Sequence, residues 1–199
     1  MKTKNKGMRE MHFSIYEEKI LNQLLTSSMK SKDKARLKYG FYLFLDSLKK
    51  GLLIYSFAIY LEIFMETFLM HISFLFVRQV SYGWHSSSKM GCILGSILCF
   101  TVVPYELNHA EMNKDIFFLM TVIFLTLLVY LGPVGTKVSK LSKKKIHILQ
   151  KKLKWRIVLL AVLSVIIPIT YYQYIITGVG IQLIMLFIQC ILNGVIEND

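Results

Sequence analysis

Acidic side chains are scarce in this chain of 199 residues: twelve Asp and Glu stand against twenty-four Lys and Arg, for a formal net charge of +12. Such a surplus suits nucleic acid, an anionic membrane face or an acidic partner. Nucleic acid is the weakest of the three here, because the basic residues sit beside apolar segments rather than in a polar domain. Cysteine is sparse as well. Cys92, Cys99 and Cys190 make no disulfide framework of the kind found in small secreted proteins. Cys99 and Cys190 lie inside apolar runs, where a thiol packs like a small hydrophobe. Internal repeats and low-complexity tracts are missing, a lysine-rich loop after Pro133 aside. The stretch MKTKNKGMREMHFSIYEEK lacks an apolar core followed by a small-residue cleavage site, so no removable signal peptide is expected.

Hydrocarbon is what the chain has in quantity. Hydrophobic residues make up 54% of it, with a mean hydropathy of +0.50, against about 45–50% in soluble domains. An all-α, polytopic membrane protein is expected. Apolar runs fall at about 51–61, 63–77, 90–105, 116–131, 156–177 and 178–196. A spanning helix needs roughly 20 apolar residues. Only the last two runs approach that length, so the count is about six transmembrane or re-entrant helices. Before them, residues 12–30 read as an amphipathic helix, with Phe13, Tyr16, Ile20, Leu24 and Leu25 at helical spacing. The segment YGFYLFLDSLKKG is too interrupted to span. Residues 1–50 are therefore expected as a basic N-terminal segment and 51–199 as the membrane domain.

Charge sets the topology. Residues 1–50 carry twelve Lys and Arg, and residues 135–156 carry nine with no acid. Both blocks belong in the cytoplasm by the positive-inside rule. Two runs then cross around the acidic loop of Glu106, Glu111 and Asp115. The stretch 51–77 crosses twice around a turn near Glu62 and Glu66, since charges are costly within lipid. Both termini and the polar break from Arg78 to Cys92 fall on the cytoplasmic side.

That break reads RQVSYGWHSSSKMGC, and Arg78, His85 and Cys92 in it are spaced by seven and seven. On an unbroken helix seven residues rise about 10.5 Å, whereas a base must come within about 2.6–3.2 Å of the thiol it serves. Gly83 and the run Ser86, Ser87, Ser88 favour a turn that folds His85 back toward Cys92. A cysteine opening the next helix would meet a dipole that favours thiolate and amides able to hold an oxyanion. Spacing leaves two readings open: catalysis, or a packed thiol beside an interfacial histidine. His85, Cys92 and Cys99 share a heptad register, and Glu62, Glu66 and His71 form a second polar group. Neither has the close paired-ligand spacing of zinc sites, so no metal is expected. His12, His109 and His147 lie in surface-like segments. Lys143, Lys144 and Lys145, with Lys151 and Lys152, suffice as a generic polybasic loop for anionic lipid.

The pattern Arg78, Gly83, His85, Cys92 between short apolar segments resembles the AgrB family of bacterial quorum-sensing peptidases. The basic N-terminal segment, the GPV at 132–134 and the lysine-rich loop are similar to that family too. Ser86 stands where many members have alanine, and one glycine precedes the histidine where some have two. The resemblance implies a multi-pass bacterial cell-membrane cysteine endopeptidase. It would cleave the C-terminal tail of a small AgrD-like propeptide through an acyl-enzyme thioester and promote cyclisation to a thiolactone or lactone. Cys92 would be the nucleophile and His85 its general base, then acid. Arg78 would orient the site or hold a substrate carboxylate, Gly83 would permit the turn, and Lys143, Lys144 and Lys145 would support substrate binding. The partners implied are the propeptide, anionic lipids and a second copy in a homodimer, with no cofactor and no nucleic acid. Two other classes stay open: a small transporter using Glu62, Glu66 and His71 as a polar path, and a non-catalytic membrane scaffold.

Overall fold

The computed structural model describes residues 15–25, 29–84, 88–110, 113–135 and 142–197. Among these residues the regular elements are helices: α1 (Ile15–Leu24), α2 (Ser31–Tyr60), α3 (Phe64–Ser81), α4 (Lys89–Ile97), a π-helical turn (Leu98–Val102), α5 (Val103–His109), α6 (Lys114–Leu131), α7 (Lys143–Ile166) and α8 (Ile169–Glu197). The all-α expectation holds. Side-chain caps start several of them: the Ser88 hydroxyl accepts from the Gly91 amide, Asn113 from Asp115, and Ser142 from Lys145.

Prolines decide two boundaries. The apolar run 156–177 is not one segment, because Pro168 stands inside it. A proline has no amide to continue the ladder and forces the preceding residue into extended backbone, and Ile167 is extended at φ −83, ψ 133. The division near 177 is therefore replaced by one at 167–168, and α8 continues unbroken through Gly178 and Gly180. Pro104 acts more gently. It cannot donate to the carbonyl one turn back, and the turn before it widens so that the Val103 amide reaches Leu98 O, five residues away. Helices α4 and α5 thus form one rod from Met90 to His109.

The chain divides into two compact units, residues 1–52 and 53–199. In the first, α1 is shorter than the expected 12–30, ending at Leu24. Leu21 is its fully buried residue, while Ile20 and Leu24, placed on the apolar stripe by spacing, are about half exposed at 49% and 47%. Phe13 lies outside the described residues. Glu17 pairs with Lys49 of α2 at 2.6 Å. The segment YGFYLFLDSLKKG is continuous helix within α2.

In the second unit α3 and α8 form the inner pair and run parallel. Gly178 lies against Met70 and Ser73, Gln182 against Arg78 and Ser81, and Leu186 against Gly83. At Gly178 the two backbones come close: a Cβ there would collide with the Met70 carbonyl. Helix α6 runs with them, its Phe124 on Gly180. Helices α7 and α4–α5 run the other way, with Arg156 bonded to Phe76 O and Gln79 and Asn108 to Tyr174. Among the described residues three helices are long and apolar enough to cross a membrane: Met90–His109, Lys114–Leu131 and Ile169–Gly194. Of these α8 is 56% buried, against 17% and 22% for the other two. The outer pair therefore turns apolar side chains such as Leu94, Phe118 and Tyr130 outward, a surface suited to hydrocarbon rather than water.

Candidate functional site at the end of α3

Helix α3 stops because its backbone turns over. Tyr82 takes φ 61, ψ −136 and Gly83 takes φ 118, a half of conformational space that L-residues avoid. A bulky residue stays there only when its surroundings hold it, and Tyr82 is held from several sides. Its amide donates to Arg78 O at 3.0 Å, and Gln182 Nε2 of α8 donates to its carbonyl. Val134, of the segment after α6, pairs with it as an isolated parallel bridge and donates to Ser81 O at 3.1 Å. Trp84 N donates to Met185 O at 3.0 Å. Gly83 serves both conformation and space: a Cβ would lie 3.3 Å from Gln182 Nε2 and 3.4 Å from Leu186 N.

Arg78 points into this turn. Its Nη1 donates to Gln182 Oε1 at 3.3 Å and its Nη2 to Trp84 O at 3.2 Å, with the guanidinium 5.4 Å from the centre of the Phe74 ring. The chain then re-enters a helix at the Ser88 cap. Cys92, half-buried, sits in the first turn of α4, its amide donating to Ser88 O at 3.0 Å. Arg78 is within electrostatic reach of Cys92. Cys92 thus stands at a helix start with a guanidinium in electrostatic reach. The first-turn amides offer less to an oxyanion than spacing suggests, because those of Gly91 and Cys92 are already bonded to Ser88.

Of the residues expected from sequence, Arg78 and Gly83 meet at Gln182, and Cys92 lies within electrostatic reach of Arg78. His85, with Ser86 and Ser87, lies outside the described residues. Lys145 reaches the break, its Nζ 5.6 Å from the centre of the Tyr82 ring, while Lys143 and Lys144 are exposed in the first turn of α7. The second polar group lies toward the opposite end of α3. There Tyr55 OH and His71 Nδ1 are 3.1 Å apart, His71 packs on Phe100 at 4.7 Å, and Glu62 forms the corner between α2 and α3. Spacing missed Gln182, whose head group touches Arg78, Ser81 and Tyr82. The signal for it was a glutamine inside an apolar run, since polar groups at membrane depth are costly and mark working positions.

A family model described as Accessory gene regulator B matches residues 17–186. The accessory gene regulator protein B of Staphylococcus aureus (strain bovine RF122 / ET3-1) is 29% identical over 155 residues, covering 76% of this chain and 81% of that protein. The protein of the same name from Staphylococcus haemolyticus is 25% identical over 154 residues, 76% and 80% of the two chains. That from Staphylococcus intermedius is 24% identical over 147 residues, 74% and 78%. No solved structure matches the chain.

Proposed function

The chain belongs to the accessory gene regulator B family, and from that premise we propose that it is a membrane cysteine endopeptidase acting on a small AgrD-like quorum-sensing propeptide. The observation that carries this reading is Cys92 in the first turn of a capped helix, within reach of the Arg78 charge. His85, seven residues before Cys92 in the same break, is the general base. It takes the thiol proton as sulfur attacks the scissile carbonyl, then delivers it to the departing amine. The tail leaves with a new N-terminus, and the remaining acyl group is a thioester on Cys92. Lys89 and Met90 supply the first-turn amides that helix geometry leaves without an intrahelical acceptor, and these face the oxyanion. Lys143, Lys144 and Lys145, which start α7 beside Tyr82, attract an acidic tail.

The thioester retains activation that hydrolysis would discard. A cysteine within the bound peptide reaches an effective molarity of about 10⁵–10⁸ M when well oriented. Its thiol attacks the acyl carbon, Cys92 leaves as thiolate, and a thiolactone forms with no net change in bond type. An internal serine gives a lactone. The reaction is tested by co-expressing the chain with a propeptide bearing an internal cysteine and an acidic tail, reading the products by mass. Wild type yields released tail and a cyclic product one water lighter than the linear acid. Cys92→Ala and His85→Ala each abolish cleavage at normal membrane abundance, and full activity in Cys92→Ala would falsify the assignment.

The break lies on the cytoplasmic side in this reading, supported by the nine Lys and Arg of residues 135–156 and by Lys145 at Tyr82. On a background without native cysteines, single cysteines at Ser87 and Lys144 label from the cytoplasm and one at Asn108 from outside. Opposite-side labelling of Ser87 and Lys144 would overturn the six-segment topology with both ends inside.

A further inference from the structure

Gln182 lies one hundred residues beyond Tyr82, has no exposed surface, and takes no part in the chemistry above. Its carboxamide nevertheless joins the groups that shape the site. Oε1 accepts from Arg78 Nη1 at 3.3 Å, while Nε2 donates to Ser81 Oγ at 2.9 Å and to the Tyr82 carbonyl. The two partners settle which atom is which. A guanidinium only donates and a peptide carbonyl only accepts, so the oxygen must face Arg78 and the nitrogen Tyr82. Among side chains of this length only glutamine serves both at once: glutamate has no donor when ionised, lysine no acceptor, methionine neither. Gly83 leaves the space this head group occupies, since a Cβ there would press on Nε2 at 3.3 Å.

We propose that Gln182 is a positioning residue for the thiol chemistry: from α8 it holds the Arg78 guanidinium and the left-handed turn at Tyr82 in one fixed arrangement, and so keeps the Arg78 charge in the break that leads to Cys92. Without it, Arg78 keeps the Trp84 carbonyl as an anchor and the Tyr82 carbonyl loses a buried donor, a loss that favours rearrangement of the turn. Gln182 touches neither substrate nor sulfur and acts through Arg78.

This inference rests on the reading of Cys92 as the nucleophile, and its test needs no peptide. In the full chain carrying Cys99→Ala and Cys190→Ala, purified in detergent, the second-order rate of Cys92 alkylation by iodoacetamide at one pH reports thiol reactivity. Arg78→Met is expected to slow alkylation by about tenfold, the order of effect of one charge several ångströms from a thiol. Gln182→Met slows it comparably, and the double variant is no slower than Arg78→Met alone. Gln182→Glu, which keeps the acceptor for Arg78 but places a negative charge against it, slows alkylation as well and stands in should Gln182→Met not accumulate. Wild-type rates in both Gln182 variants, an unchanged rate in Arg78→Met, or slowing that multiplies in the double variant would each overturn the proposal. Cleavage by Cys92→Ala would instead remove the peptidase reading and leave the alkylation result standing.

Discussion

Helix α3 is entered and left through residues of positive φ, Glu62 at 58° and Tyr82 at 61°, yet the two ends are held by different means. At the entry the corner closes on itself. Glu62 N donates to Ile59 O at 3.1 Å and Ile63 N to Ala58 O at 2.9 Å, the paired bonds of a Schellman motif with Glu62 where glycine usually stands. Ile63, almost fully buried at 1% exposure, supplies the apolar contact that accompanies such a motif. At the exit one local bond, from Tyr82 N to Arg78 O, is joined by bonds from Val134 and Gln182 and by one from Trp84 N to Met185 O. The entry corner is a generic helix stop written in six residues. The exit is assembled from three distant stretches of chain, with Arg78 bonded into it and Lys145 over its Tyr82 ring. The same sign of φ is held by long-range partners at the exit and by local bonds at the entry.

The largest effect should come from separating α8 from α3. Gly178→Val places side-chain carbon on the Met70 carbonyl, which is backbone and cannot swing aside. It should cost about 3 kcal/mol or more and undo the exit while sparing the entry corner. Membrane abundance and thermal unfolding in detergent read the loss, and normal values for both would break the comparison. Gly83→Ala comes next. Forcing a Cβ onto a residue at φ 118, beside Gln182 and Leu186, should cost about 1–3 kcal/mol, with product yield falling more steeply than folded protein.

Glu62→Gly should go the other way. Relieving the left-handed penalty at an exposed corner should raise stability by about 1 kcal/mol, seen as a higher melting temperature with cleavage unchanged. A loss of cleavage would show that the entry end takes part in the chemistry after all. The smallest change is Tyr55→Phe, which removes the contact to His71 Nδ1. It should lower stability by at most about 1 kcal/mol and leave the product yield at wild-type level; a large drop would revive the polar path through Glu62, Glu66 and His71.

Features carried by a few neighbouring residues were legible in the chain itself. The break after Ser81, the turn at Glu62 and the placement of Cys92 at a helix start all follow from local signals: a glycine, a charged pair amid apolar residues, a serine cap. The Pro168 boundary was equally local, and hydropathy alone blurred it by joining two helices into the run 156–177. On α1 it is Leu21 that is buried rather than Ile20 or Leu24, since periodicity names a face of a helix while packing selects residues within it.

What the chain determined by itself was its class and its punctuation: helices of membrane type, a basic surplus, and one polar break bearing arginine, glycine, histidine and cysteine. Capping, proline geometry and hydrophobic periodicity act within about one or two helical turns, so a linear reading captures them. Only the tertiary structure decided that α8 is the inner helix, that Val134 pairs with Tyr82, and that Gln182 meets Arg78 across 104 residues. The Gln182–Arg78 contact lies between two parallel helices that Gly178 lets approach closely. Such a contact is a property of two surfaces meeting, and no stretch of either helix states it alone.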